Sequence, residues 1–196
     1  MRDLRQTVYL AKEMGKGLGG GEILLREMQT EQKPLILTLK LDASSQAFFD
    51  DLRQRYFPPE RNFLKAHLTL FHQLPDNGDT RAYLRSFVFE PFEMTVIGLR
   101  HLGSGVAYVM ESAPLLKLHQ DLKRHFESYL IRQDLQAFRP HITIQNKVTA
   151  EACKQLLALL NSSFIPFQVN ASGMDLWTYL GGPWRHEESY PLWKIS

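Results

Sequence analysis

Two tetrapeptides in this chain of 196 residues carry side chains suited to proton transfer: His67-Leu68-Thr69-Leu70 and His141-Ile142-Thr143-Ile144. Imidazole, with an ordinary pKa near 6.5, takes and gives protons around neutrality, and a hydroxyl can donate a hydrogen bond to an oxyanion. Residues i and i+2 of a β-strand project from one face. Each histidine is therefore expected to point with its threonine, while Leu68, Leu70, Ile142 and Ile144 face the other way. If two such strands oppose their polar faces, two imidazoles and two hydroxyls line one groove. One neutral and one protonated imidazole on opposite sides of a phosphate form a general base and a general acid.

The 7 histidines and 9 threonines of the chain, placed at random among its aliphatic residues, would give roughly 0.02 copies of this pattern. Two are present, at corresponding places in the two halves. A single copy reads as an ordinary satisfied pair on a strand. Two polar pairs interrupting aliphatic strands are costly to bury without a task.

The neighbours extend both motifs. Gln145 continues the face of His141 and Thr143, which places it at the floor or rim of the groove. Phe71 likewise continues the face of His67 and Thr69, with core packing as its expected role. Arg139 stands beside the second motif and suits a phosphate. Arg53, Arg55, Tyr56 and Phe57 give the first helix a basic, aromatic end at which Tyr56 could stack a base. His72, His101, His119, His125 and His186 have no partner at a ligand spacing, and there is no His-x-His, paired cysteine or His-Glu-x-x-His, so no metal is expected. The Gly-x-Ser-x-Gly elbow of one class of serine hydrolase is absent as well.

The elements that must position these groups are readable from periodicity. Residues 35–41 form a strand, and Asp42 opens a helix through Phe49, Leu52 and Tyr56 that Pro58 and Pro59 end. Further strands are expected at 67–71, 92–101, 106–111, 141–145, 167–169 and 174–180, with Trp193, Lys194 and Ile195 closing the chain. Helices are expected at 79–88, at 149–160, and after Pro114, the last with Leu115, Leu118, Leu122, Phe126, Tyr129 and Leu130 on one face. Residues 1–32, with glycines clustered at 15–21, read as an extension and linker ahead of a two-lobed domain at 33–196. Their formal G-x-G-x-x-G match lacks the strand and βαβ unit that motif needs.

Composition sets the class. Hydrophobic residues make up 44% and charged residues 22% of the chain, as in an ordinary soluble domain, and the net charge of +2 without a polybasic tail argues against coating nucleic acid by charge alone. The one cysteine, Cys153, falls in the apolar pattern of a helix, a buried thiol in a reducing compartment. With no apolar leader and no run of about 18 apolar residues, the expectation is a cytoplasmic monomer without a membrane segment.

On His67-Leu-Thr-Leu70 and on Phe138-Arg-Pro-His-Ile-Thr-Ile-Gln-Asn-Lys-Val148, the sequence resembles the two-histidine phosphoesterases, which include the 2′,5′ RNA ligase-like proteins and cyclic nucleotide phosphodiesterases of RNA ends. The resemblance covers residues 34–196. It implies an α+β fold, a bilobal pseudo-symmetric duplication in which two antiparallel sheets line a central cleft with helices outside. It implies no metal or cofactor, His67 and His141 as acid and base, Thr69 and Thr143 on the phosphate, and an RNA end or nucleotide as substrate. The expected activity is a metal-independent phosphoesterase acting on a 2′,3′-cyclic phosphate, a 2′,5′ linkage or a related cyclic nucleotide. The alternative is a non-catalytic RNA-end or nucleotide binding module using the same cleft.

Overall fold

The computed structural model describes residues 33–193, so the extension and linker expected over residues 1–32 lie outside the described residues. Seven strands and five α-helices follow in the order β1 (Leu35–Leu41), α1 (Ala43–Tyr56), β2 (Leu68–Leu74), α2 (Gly78–Ser86), β3 (Phe92–His101), β4 (Val106–Glu111), α3 (Ala113–Phe126), α4 (Arg132–Leu135), β5 (His141–Gln145), α5 (Ala150–Asn161), β6 (Phe167–Tyr179) and β7 (Trp184–Pro191). The longer helices begin where the chain supplies a cap. Asp42, Asn77, Ser112 and Thr149 each accept the N–H of the residue three positions on, worth about 1 kcal/mol apiece.

All pairings are antiparallel, and the strands form one sheet in the order β2-β1-β6-β3-β4-β5, with β7 also on β6. The expected pair of separate sheets is thus corrected to a single curled half-barrel. The cause lies in β6, which runs unbroken for 13 residues where two short strands were expected. Its N-terminal part pairs with β3 and its C-terminal part with β1 and β7, so it welds the two halves into one hydrogen-bonded surface. Strand order reads the same from either end: β2-β1-β6 on one side answers β5-β4-β3 on the other.

The two motif strands are therefore the outermost strands of the path, and curling brings them together until β2 and β5 touch. Register shifts in the β1/β2, β3/β4 and β4/β5 pairs supply local bends, since bulges add twist to that already present between neighbouring strands. Arg53 on α1 fastens the closure. Buried and lying 3.9 Å from the centre of the Phe57 ring, it donates to Asn62 Oδ1 (2.8 Å), to the Leu64 carbonyl (2.9 Å) and, across to β5, to the Thr143 carbonyl (3.0 Å).

The core is continuous, and Leu35, Leu37, Phe49, Phe71, Leu115, Leu118, Leu122, Phe126, Ile142 and Ile144 are all buried in it. Cys153 is buried as expected, its Sγ–H donating to the Gly105 carbonyl. Gly105 stands so close to β5 that a Cβ there would fall 2.0 Å from the Gln145 carbonyl oxygen. Two expectations fail locally. The helix after Pro114 ends at Phe126, and a 3-10 turn over Glu127–Tyr129 turns Tyr129 outward, off the expected apolar face. Strand β7 has no counterpart among the expected strands, because WRHEESYP buries only Tyr190 and so lacks alternation. Lys194 and Ile195, expected to close the chain, lie outside the described residues.

Candidate functional site

A cleft of about 620 Å³ opens where β2 and β5 converge, and His67, Thr69, His141 and Thr143 all line it. His67 immediately precedes β2 and His141 is the first residue of β5, so both rings sit at the mouth of an edge strand with the threonine one pleat inside. The local device is the same in both. The Nδ1–H of His67 donates to the Lys65 carbonyl and that of His141 to the Arg139 carbonyl, each at 2.8 Å and each two residues back. A carbonyl only accepts, so Nδ1 must carry the hydrogen and Nε2 is left as the unclaimed nitrogen. Neither threonine hydroxyl is hydrogen-bonded among the described residues.

Both imidazoles are held below the usual histidine range. Burial pushes His67 down to about 4, helped by the positive charges of Arg53, His141 and His72 and opposed by the Lys65 carbonyl. Burial also lowers His141, with Arg100 as the nearest cation and the Arg139 carbonyl opposing. The Arg100 guanidinium stands 3.5 Å from His141 Nδ1. Because Nδ1 already donates its hydrogen to Arg139, Arg100 acts on the ring as a charge rather than as a donor.

Each motif strand shifts register directly after its threonine. Thr38 faces Thr69 while Leu37 faces Phe71, and Ala107 faces Thr143 while Val106 faces Gln145, so one extra residue is inserted at each place. The slip resets the alternation. Leu70 and Phe71 are both buried, and so are Ile144 and Gln145. Gln145 therefore turns away from the cleft into the interior, with Oε1 buried and unpartnered among the described residues. Phe71 packs in the core as expected, and His72 takes the next place on the cleft wall.

Of the other expected binding residues, Arg139 lines the cleft and Tyr56 does not; Tyr56 packs against the hydrophobic core. Arg53 and Phe57 are buried as structural groups, and Arg55 pairs with Asp51 at 2.6 Å. Four cleft groups escaped the sequence reading: Arg100 on β3, His72, Asp134 and His119. Asp134 is buried and accepts the N–H groups of His72 and Gln73 as well as His72 Nδ1 at 2.7 Å. The carboxylate thus clamps the segment around α4 to β2 and fixes the His72 ring. His119 lies flat between Phe71 and Phe138, 4.7 and 3.8 Å from their centres. Burial holds it down to about 4, so it serves as a neutral plate under the cleft wall. A charge partner on another element, as Asp134 is for His72, leaves no trace in local spacing.

Among the described residues no three His, Cys, Asp or Glu side chains gather where they could hold a metal ion, and no helix is long and apolar enough to cross a membrane.

Comparison with known proteins agrees with this architecture. No functionally curated protein matches the chain. Among solved structures, E. coli LigT complexed with 3′-AMP matches with a TM-score of 0.56 at 16% identity, over 84% of this chain and 100% of that one. The protein TT0787 of Thermus thermophilus gives 0.57 at 18% identity over 81% and 97%, and E. coli LigT complexed with phosphate gives 0.53 at 16% over 83% and 98%. At such identities the likeness is one of fold. The profile of the 2′-5′ RNA ligase superfamily matches residues 41–183, which spans both histidine motifs and most of the sheet, and on that match the chain belongs to the 2′-5′ RNA ligase superfamily.

Proposed function

We propose that the protein is a metal-independent phosphoesterase that opens a 2′,3′-cyclic phosphate or a related cyclic nucleotide phosphate, or cleaves a 2′,5′ linkage, at an RNA end. The observation that carries the reading is the paired ring geometry: two imidazoles at one cleft, each with Nδ1 tied to a carbonyl at 2.8 Å and Nε2 free. Superfamily membership and the nucleotide and phosphate named for E. coli LigT support a phosphorylated substrate.

The two rings divide the work by environment. His67, held down to about 4, is the neutral base, and His141 is the acid. Water loses its proton to His67 Nε2 as its oxygen bonds to phosphorus. The bond from phosphorus to the 2′ or 3′ oxygen breaks, and that oxygen takes the proton from His141 Nε2. Thr69 and Thr143 donate to the non-bridging oxygens, and Arg100 and Arg139 balance their charge.

The test is turnover in chelator of cyclic-phosphate mononucleotides, an oligonucleotide with a cyclic end and a 2′,5′ dinucleotide, with products resolved by mass. Expected is phosphate-ring opening or cleavage that His67→Ala and His141→Ala abolish. Absence of product from every substrate, or near-normal turnover in either variant, overturns the reading.

A further inference from the structure

Besides the buried plate of His119, three imidazoles line the cleft, and they share one arrangement. His67 and His141 each donate Nδ1–H to a carbonyl at 2.8 Å, and His72 donates Nδ1–H to Asp134 Oδ1 at 2.7 Å. A carboxylate only accepts, so the hydrogen of His72 lies on Nδ1, and Nε2 is again unclaimed among the described residues. The acceptor is what differs. A neutral carbonyl holds each motif histidine, whereas a charged oxygen holds His72, and the proposed proton transfers leave this third ring without a task.

The support behind His72 is firm. The Asp134 side chain, 2% exposed, also accepts the backbone N–H groups of His72 at 3.0 Å and Gln73 at 3.1 Å. Lys123 on α3 donates to the Leu135 carbonyl at 2.8 Å, which ties α4 to a second element. The ring so held stays accessible, with 47% of the His72 side chain exposed. Among the described residues Asp134 is the only carboxylate lining the cleft, and its bonds to His72 and Gln73 occupy it. An anion entering at this end therefore meets an imidazole, Arg139 and the carboxamides of Gln133 and Gln136. The register shift fixes the placement. The residue inserted after Thr69 leaves His72 one pleat further along β2 on the cleft side, a step of roughly 6.6 Å. His72 is also among the charges that lower both motif rings, so it stands within electrostatic reach of the space between them.

We propose that His72, anchored by Asp134, is a second anion subsite, and that it takes the 5′-phosphate of the nucleotide whose 2′ or 3′ phosphate lies between His67 and His141. The proposal rests on the phosphoesterase reading for the position of that first phosphate. One pleat is of the order of the separation between two phosphates carried by one ribose, and a cleft of about 620 Å³ has room for both. With a phosphate oxygen at Nε2 and the Asp134 carboxylate at Nδ1, the ring lies between two anions and donates from both nitrogens. The substrate class narrows accordingly. A terminal nucleotide that carries its 5′-phosphate, at the end of a chain or as a 5′-phosphorylated cyclic nucleotide, is preferred to a nucleoside cyclic phosphate that lacks it.

The test is calorimetric binding, by the full chain, of adenosine 3′,5′-bisphosphate and of adenosine 3′-phosphate. The wild type is expected to bind the bisphosphate about tenfold more tightly, the scale of one hydrogen bond to a charged group. Two variants separate the nitrogens of the ring. In His72→Asn the amide can replace Nδ1–H toward Asp134, which preserves the clamp, but nothing replaces Nε2. The preference should vanish there, with affinity for adenosine 3′-phosphate unchanged. In His72→Gln the amide reaches toward the place of Nε2 and should keep roughly a threefold preference. Equal affinity of the wild type for the two ligands overturns the proposal without recourse to a variant. So does an undiminished preference in His72→Asn. A parallel loss of both ligands in that variant overturns it too, since His72 would then serve the first phosphate. If the preference and its dependence on His72 hold while no substrate is turned over, the subsite stands and the catalytic reading fails. Turnover without preference gives the reverse.

Discussion

The His67 and His141 sites repeat one another in motif, in position at the start of an edge strand, in the hydrogen bond that fixes the ring and in the register shift after the threonine. They differ in what surrounds them. His67 is packed against Trp184 and near the buried Arg53, with its pKa held down to about 4, while His141 stands at the arginine-lined wall beside Arg100 and Arg139. A repeated motif thus acquires two chemical environments, because the neighbours that set them, β7 on one side and β3 on the other, differ. In the proposed mechanism the base and acid roles follow from the neighbours, whereas the motifs alone are symmetric.

The largest test of that difference is removal of each ring in turn. His67→Ala and His141→Ala are each expected to lower kcat by about 10³-fold, within the range for a positioned acid or base. The pH profiles should separate them. Residual activity of His67→Ala should lose the limb that rises with pH, and that of His141→Ala the limb that falls. Identical residual profiles would erase the division of roles.

Next in size is the contact that brings the two sites together. Arg53→Met leaves the Leu64 and Thr143 carbonyls without their donor, and is expected to cost about 3 kcal/mol of stability by urea unfolding. Arg53→Lys should recover little, since an ammonium cannot reach three acceptors as a planar fork does. Full stability of Arg53→Met would mean that the sheet closes without this tether.

Arg53 also marks the limit of what was legible in the sequence. Its position at the end of a helix rich in basic and aromatic residues is visible, but its partners lie 9, 11 and 90 positions away, so a structural arginine and a ligand arginine look alike. Strands β1 to β5, the main helices and the grouping of the four motif side chains on one face follow from periodicity, because aliphatic and polar residues alternate there. The placement of Gln145 did not, since a register shift has no composition signature and reverses the face of what comes after it. Nor did the single sheet, because the decisive element, β6, is continuous through Ser172 and Gly173, residues that read as a break. The cleft wall at 133–139 is irregular, and only its contacts, Asp134 to β2 and Phe138 to His119, give it a place.

The pH dependence sharpens the same comparison at a smaller scale. A base must be deprotonated and an acid protonated, so kcat/KM should rise as pH climbs through about 4, where His67 loses its proton, and fall above the pKa of His141, itself below the ordinary 6.5. An acidic optimum is therefore the expected outcome. Arg100→Gln removes the cation that helps to hold His141 down. It should move the alkaline limb to higher pH, leave the acid limb in place, and raise KM roughly 30-fold through the lost phosphate contact. Movement of the acid limb instead would place the arginine's influence on the other ring.

The smallest expected effect concerns the hydroxyls. Thr69 and Thr143 occupy equivalent places on β2 and β5, and neither hydroxyl is hydrogen-bonded among the described residues. Valine keeps the β-branched shape that a strand favours and removes only the donor. Thr69→Val and Thr143→Val should each lower kcat about tenfold, the lower end of what a hydrogen bond to a charged oxygen contributes, about 1.5 kcal/mol. Because the two hydroxyls would contact different oxygens of one phosphate, the double variant should lose the product of the single losses. A loss confined to one threonine would mean that the phosphate leans toward one edge strand. The symmetry of the motifs would then end at the imidazoles, and the other hydroxyl would be a remnant of the duplicated pattern.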